Sequence, residues 1–171
     1  VHVFSGPIVS TSWSPDGKHI VTGSLDHSVR ILNSETKETL EDLGYVHRGI
    51  ISSKIALAKR NNLKDPVLCV AWSPDGGNIV SGSDDGSLKV FNYQMNNLSH
   101  SFDELYVGMK ADFSSAIKLI LIEGSVSSVC WSPDGILIAS ASTNTIKIVD
   151  FFQKKLVHPF KDLHTGMPVF L

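Results

Sequence analysis

The sequence predicts an all-β protein assembled from three copies of one four-stranded unit. Three observations carry that prediction. The pentapeptide Trp-Ser-Pro-Asp-Gly begins at Trp13, Trp72 and Trp131, so it recurs every 59 residues. Across Ile8–Asn33 and Val67–Asn92, 12 of 26 aligned residues are identical, too many for shared composition, so the chain contains an internal repeat. Within each copy, short runs rich in β-branched residues alternate apolar with polar positions between turn-forming residues, as antiparallel strands do.

Each element of the unit has a local reason. The first strand, IVSTSW in the first copy, joins β-branched residues to an aromatic. Ser-Pro-Asp-Gly then makes a turn: Ser opens it, Pro presets φ, Asp follows, and Gly is free to take positive φ. The second strand reads HIVTG, NIVSG and LIASA in the three copies. A polar turn (SLD, SDD, STN) leads to a third strand, SVRIL, SLKVF or TIKIV. There Val29 and Ile31 flank Arg30, and Leu88 and Val90 flank Lys89, a period of two that marks a sheet packed on at least one face. A fourth strand is expected at KETLEDL, NLSHSF and KLVHPF.

Strand, W-S-P-D-G, strand, G-S-x-D, strand V-R-I-x-N resembles the WD40 repeat, one blade of a β-propeller. The resemblance implies a WD40-like propeller arc of three four-stranded blades with inserts between them. The blades fall at about 8–43, 67–103 and 126–161, with inserts at 44–62 and 104–123. Residues 164–171, with His164 followed by Val169, look like the start of a further blade. Asp26 and Asp85 match the family's turn aspartate and Asn144 stands there in the third copy. The resemblance implies that these aspartates accept backbone N–H bonds in their turns, a structural role. Departures are visible too. Leu32-Asn33, Phe91-Asn92 and Val149-Asp150 replace the signature Trp-Asp, and the expected histidine positions read Phe4, Leu63 and Ile122. The buried Asp–His–Ser/Thr–Trp network typical of such blades is therefore not expected to form in full.

Blades of this family run about 40–45 residues, so roughly 15–19 extra residues enter each 59-residue repeat. The first insert carries Arg48, Lys54, Lys59 and Arg60, candidates for partner binding, and a short helix capped by Ser52 or Ser53 fits its sequence. In the second, Leu105, Met109, Phe113, Ile117 and Leu121 recur every four residues, a helical spacing with which a strand at Ile117–Ile122 competes. The alternative is a solvated basic face, an apolar stripe packed on its own blade, or poor order. Propellers close with about 4–8 blades, and three leave two faces uncovered. The arc is therefore expected to belong with remaining propeller blades or to self-associate. The opening Val-His-Val-Phe reads as an excerpt or a processed chain.

Composition narrows the function. The 171 residues are 42% hydrophobic and 19% charged, ample for a core, and the net charge of −2 gives no general attraction to nucleic acid or anionic membranes. Ile117–Ile122 is far short of the roughly 20 residues a membrane helix needs. The two cysteines, Cys69 and Cys130, read as reduced, buried thiols, which suits a cytoplasmic or nuclear protein. The seven histidines lack ligand spacing, and no nucleophile elbow, phosphate loop or zinc motif occurs. Ser81–Ser87 is acidic and Gly-rich but lacks the ligand ladder and terminal Glu of a calcium loop. No enzyme, metal or cofactor is expected, and other proteins are expected as partners rather than small molecules, membranes or nucleic acid. The resemblance implies a non-catalytic scaffold in a multiprotein complex. The alternative is part of a propeller enzyme or a nucleoprotein-associated module whose functional residues lie outside this chain.

Overall fold

The computed structural model describes residues 5–45, 47, 65–93, 97–102, 124–142 and 145–160. They form three four-stranded antiparallel sheets, each an uncrossed meander. The first contains β1 (Ile8–Trp13), β2 (His19–Ser24), β3 (Ser28–Asn33) and β4 (Thr39–Tyr45). The second contains β5 (Val67–Trp72), β6 (Asn78–Ser83), β7 (Leu88–Asn92) and β8 (Asn97–Phe102). The third contains β9 (Ser128–Trp131), β10 (Leu137–Ser142), β11 (Thr145–Asp150) and β12 (Lys155–Phe160). The fourth strands expected from the sequence are all present. Both expected insert helices, Asn144 and residues 164–171 lie outside the described residues.

The repeated pentapeptide makes the hairpin between the first two strands of each sheet. Gly17, Gly76 and Gly135 take φ of 71°, 74° and 71°, a conformation that favours glycine over any residue with a Cβ. In each copy the turn closes on itself: Gly17 N–H donates to the Ser14 carbonyl at 2.9 Å, and Asp16 Oδ1 accepts from Ser14 Oγ and the Lys18 N–H. Asp75 and Asp134 repeat the same bonds.

The three sheets pack in sequence as an open arc with two apolar joints. At the first, Val21, Val29 and Ile31 of the first sheet meet Val67, Val70, Trp72 and Ile79 of the second. At the second, Cys69, Val80, Leu88 and Val90 meet Val126, Val129, Ile138 and Phe151 of the third. The alternation of side chains along a strand explains the split. Along β6, Ile79 reaches back to the first sheet and Val80 forward to the third, so the central strand is buried at every position. The sequence pattern required one covered face, and the middle sheet has two. Lys89 of the middle sheet and Lys147 of the third are buried as well.

Edges are also tied across the joints. The first strand of each sheet lies at its sheet's edge. Val70 N–H donates to Ser10 Oγ at 3.1 Å and Trp72 N–H to Ser12 Oγ at 3.0 Å, so hydroxyls of β1 take up outward donors of β5. At the second joint Val126 N–H donates to the Ser83 carbonyl at 2.9 Å, and Cys69 Sγ to the Val126 carbonyl at 3.3 Å. Gly82 permits that approach: a Cβ there would lie 2.5 Å from a Val126 methyl and 2.7 Å from Cys69 Sγ.

The cysteines divide. Cys69 is buried at the second joint, where burial pushes its thiol up to about 12. Cys130 is exposed, a correction to the expectation of two buried thiols. It lies on the opposite face of β9 from the buried Val129, and no described sheet covers that face.

Candidate functional site

The residues singled out by sequence cluster at the turns between the second and third strands. In the first sheet, Asp26 Oδ1 accepts the Ser28 N–H at 3.1 Å and the Ser28 hydroxyl at 2.5 Å. Its other oxygen accepts the Ser5 N–H and hydroxyl, tying the segment before β1 to the turn. Arg30 Nη1 lies 3.7 Å from the same oxygen, while Arg30 Nε donates to Asp42 at 2.9 Å. Burial acts to raise the Asp26 carboxyl, but hydrogen bonds from Ser28, Ser24 and Ser5 outweigh it and hold it at about 2.

The second sheet's turn is built on the same plan with a different anchor. Asp85 Oδ1 accepts the Ser87 N–H at 2.8 Å and the Ser87 hydroxyl at 2.6 Å. His47 is fully buried beside it, with Nδ1 2.8 Å from Ser87 Oγ and Nε2 2.8 Å from Ser81 Oγ. The single Ser87 hydroxyl proton goes to Asp85, so Ser87 Oγ accepts from His47 Nδ1–H. Nε2 then accepts from the Ser81 hydroxyl in the neutral ring. The imidazole also stands 3.6 Å from the Asp85 carboxylate. Here too burial acts to raise Asp85, and bonds from His47 and Ser87 overcome it and hold the carboxyl at about 2.

This corrects the reading of Leu63 as the second copy's histidine position. The histidine comes from His47, within the segment assigned to the first insert, because the extra residues enter between it and the first strand. Spacing to the tryptophan, the signal used to look for it, is destroyed by that insertion. Phe91 still stands where the family's tryptophan would, so the network forms without that member.

The set Ser81–His47–Asp85 has the residue types of a hydrolytic triad. Its geometry serves no such chemistry. Ser81 and His47 are both fully buried, so no substrate carbonyl reaches the hydroxyl. No group of three or more His, Cys, Asp or Glu able to hold a metal occurs among the described residues. No helix among them is long and apolar enough to cross a membrane.

Asp84 N–H donates to the Pro66 carbonyl at 3.1 Å, so Pro66 and His47 rest on the same turn. His47 and Pro66 thus stand together beside β6 and β7. The four basic candidates Arg48, Lys54, Lys59 and Arg60 belong to the stretch between them and lie outside the described residues.

A family model described as "WD domain, G-beta repeat" matches the chain three times, at residues 1–33, 59–92 and 118–150. The chain belongs to the WD40 repeat family. Each WD40 match ends on the third strand of a sheet, at Asn33, Asn92 or Asp150. Among curated WD40-like relatives, the periodic tryptophan protein 2 homolog of Schizosaccharomyces pombe is 25% identical over 91% of this chain and 17% of its own length. A probable cytosolic iron-sulfur protein assembly protein, the CIAO1 homolog of Dictyostelium discoideum, is 34% identical over 53% of this chain and 24% of its own length. Protein HIR1 of Aspergillus oryzae is 26% identical over 83% of this chain and 13% of its own length. The chain therefore spans less than a quarter of each of these relatives. The crystal structure of the RRP9 WD40 repeats superposes with a TM-score of 0.69 at 17% identity, covering 94% of this chain and 40% of that one. That likeness concerns the WD40 fold.

Proposed function

We propose that the chain is a non-catalytic WD-repeat scaffold, mediating protein–protein contacts within an intracellular multiprotein complex, cytoplasmic or nuclear. The observation that carries this reading is the use made of its chemistry-bearing residues. Asp26, Asp85, His47, Ser81 and Ser87 are spent on one another inside the turns, leaving the sheets as a rigid support for the segments between them. Asp26, Asp85 and Asn144 act as structural turn residues in this reading. In this reading the stretch between His47 and Asp65 offers Arg48, Lys54, Lys59 and Arg60 to an acidic surface of a partner protein. Membership of the WD40 family and the naming of the Dictyostelium discoideum relative for "iron-sulfur protein assembly" support it. A fold does not dictate a partner, so the test is direct. Affinity purification with mass spectrometry should recover a defined set of proteins with the chain. Changing Arg48, Lys54, Lys59 and Arg60 to Ser should remove part of that set while circular dichroism stays unchanged. Recovery of the same proteins with the four-fold variant would overturn the role of the basic segment.

A further inference from the structure

The turns that join third to fourth strands share a conformation and differ in what they display. In the first sheet Asn33 Oδ1 accepts the Glu35 and Thr36 N–H groups, Ser34 N–H donates to the Lys18 carbonyl, and Lys37 takes a φ of 60°. In the third sheet Asp150 Oδ1 accepts the Gln153 N–H at 2.7 Å, Phe151 N–H donates to the Ile136 carbonyl at 3.0 Å, and Lys154 takes a φ of 56°. Glu35-Thr36-Lys37-Glu38 of the first turn thus corresponds to Phe152-Gln153-Lys154-Lys155 of the third, and Lys18 beside it to Ile136. Two acids and two lysines give way to two lysines, no acid and two large apolar side chains.

This tip is not a blade face left bare at the end of the arc. Phe152 is 68% exposed and Ile136 42% exposed although a sheet packs before them. Lys18 and residues 35–38 are exposed although a sheet packs after them. Packing on either side therefore leaves these positions open. The fourth strand of one sheet ends, and the first strand of the next begins, at the far end of the sheets, beside the turns between second and third strands. β12 likewise carries the chain away from Phe152. The tip is held by its own packing: Phe151 is buried edge-on to Trp131 at 5.3 Å between ring centroids, and Phe152 stands edge-on to Phe151 at 5.2 Å. The nearby carboxylates are taken up by the turns, Asp134 by Ser132 Oγ and the Ile136 N–H, Asp150 by the Gln153 N–H. Among the described residues neither Lys154 nor Lys155 has an ion pair.

We propose that the tip formed by Ile136, Phe152, Lys154 and Lys155 docks a short acidic segment of a partner protein, one with a large apolar side chain between Asp or Glu residues. The apolar side chain covers Phe152 and Ile136, removing exposed apolar surface from water, while the carboxylates meet the two ammonium groups. A turn already fixed by hydrogen bonds loses little freedom on binding. Two lysines alone hold a chain only weakly at an anionic lipid surface, so a protein rather than a membrane is the occupant. The proposal rests on the scaffold reading in taking a protein as partner, and it adds a surface at the opposite end of the sheets from His47.

Selection from a phage-displayed random peptide library on the intact 171-residue chain tests it, with phosphatidylserine vesicles as a parallel probe. Enriched peptides should carry Asp or Glu on both sides of a Leu, Ile, Phe or Trp, and their affinity should fall as salt rises. Ile136→Lys, Phe152→Glu and Lys155→Glu together give the third tip the residues of the first, which the same turn already accommodates. This triple variant should keep the native circular dichroism spectrum and bind the selected peptides about 10-fold or more weaker, as loss of an apolar anchor and a charge contact does. Phe152→Glu alone should account for most of that loss. Changing Arg48, Lys54, Lys59 and Arg60 to Ser should leave peptide binding unchanged, so the tip and the basic segment are read separately. No enrichment, enrichment of peptides without acidic residues, equal binding by Phe152→Glu, or vesicle binding that the triple variant loses would each overturn the proposal. Affinity purification that recovers no proteins would overturn the scaffold reading instead, whatever peptides the tip selects.

Discussion

At the scale of single residues, hydrogen-bond supply decides the behaviour of the buried polar groups. Ser81, Ser87 and Asp85 each use His47 as a partner or neighbour, so His47→Ala leaves two buried hydroxyls short of a bond and opens a cavity. Urea denaturation should register a loss of about 2–4 kcal/mol for this variant. Asp26 and Asp85 have carboxyls held at about 2, against an ordinary value of 3.8. A depressed value means that the folded state binds protons less readily than the unfolded state. The contribution is therefore complete above about 4 and is lost as pH falls from there towards 2. Thermal midpoints should decline across that window, and Asp85→Asn should make the decline shallower because one of the linked protons is gone. The two cysteines should separate under a thiol reagent: Cys130, exposed, reacts in the native protein, whereas Cys69, buried and with its thiol at about 12, reacts only after unfolding. Most of this chemistry was legible. The resemblance to the WD40 repeat marks Asp26 and Asp85, whereas an insertion breaks the spacing that would mark His47.

At the scale of elements, the hairpin turn and the sheet-to-sheet approach place different demands on glycine. Gly76 needs positive φ, so Gly76→Ala should cost about 1 kcal/mol through backbone strain alone. Gly82 lies in a strand, where the constraint is contact with Val126 and Cys69 across the joint. Gly82→Ala should cost about 1–3 kcal/mol by overpacking, with the difference read by denaturant titration of the same preparations. The pentapeptide announces the first demand plainly, since Ser, Pro, Asp and Gly each have a turn role that depends on adjacent residues. Nothing near Gly82 in the chain announces the second. The residue that makes it necessary, Val126, is distant in sequence.

At the scale of the whole molecule, among the described residues the middle sheet is covered on both faces and each outer sheet on one. Hydrogen exchange should therefore be slowest in β6 and β7, with β1 and β9 exchanging faster at their outward amides. Equal protection in all three sheets would contradict this packing. The sequence by itself determined the number of units, the order of their strands and the conformation of their turns. Those properties rest on contiguous residues: β-branched runs, a preset proline, a glycine at positive φ. Only the tertiary structure decided which apolar residues are core. Trp13 and Trp72 share the same local motif, yet one is exposed and the other buried, because burial depends on what stands across the joint. It also decided that Lys89 and Lys147 are enclosed and that His47 serves the second sheet's turn, since both follow from neighbours brought together by packing rather than by the chain.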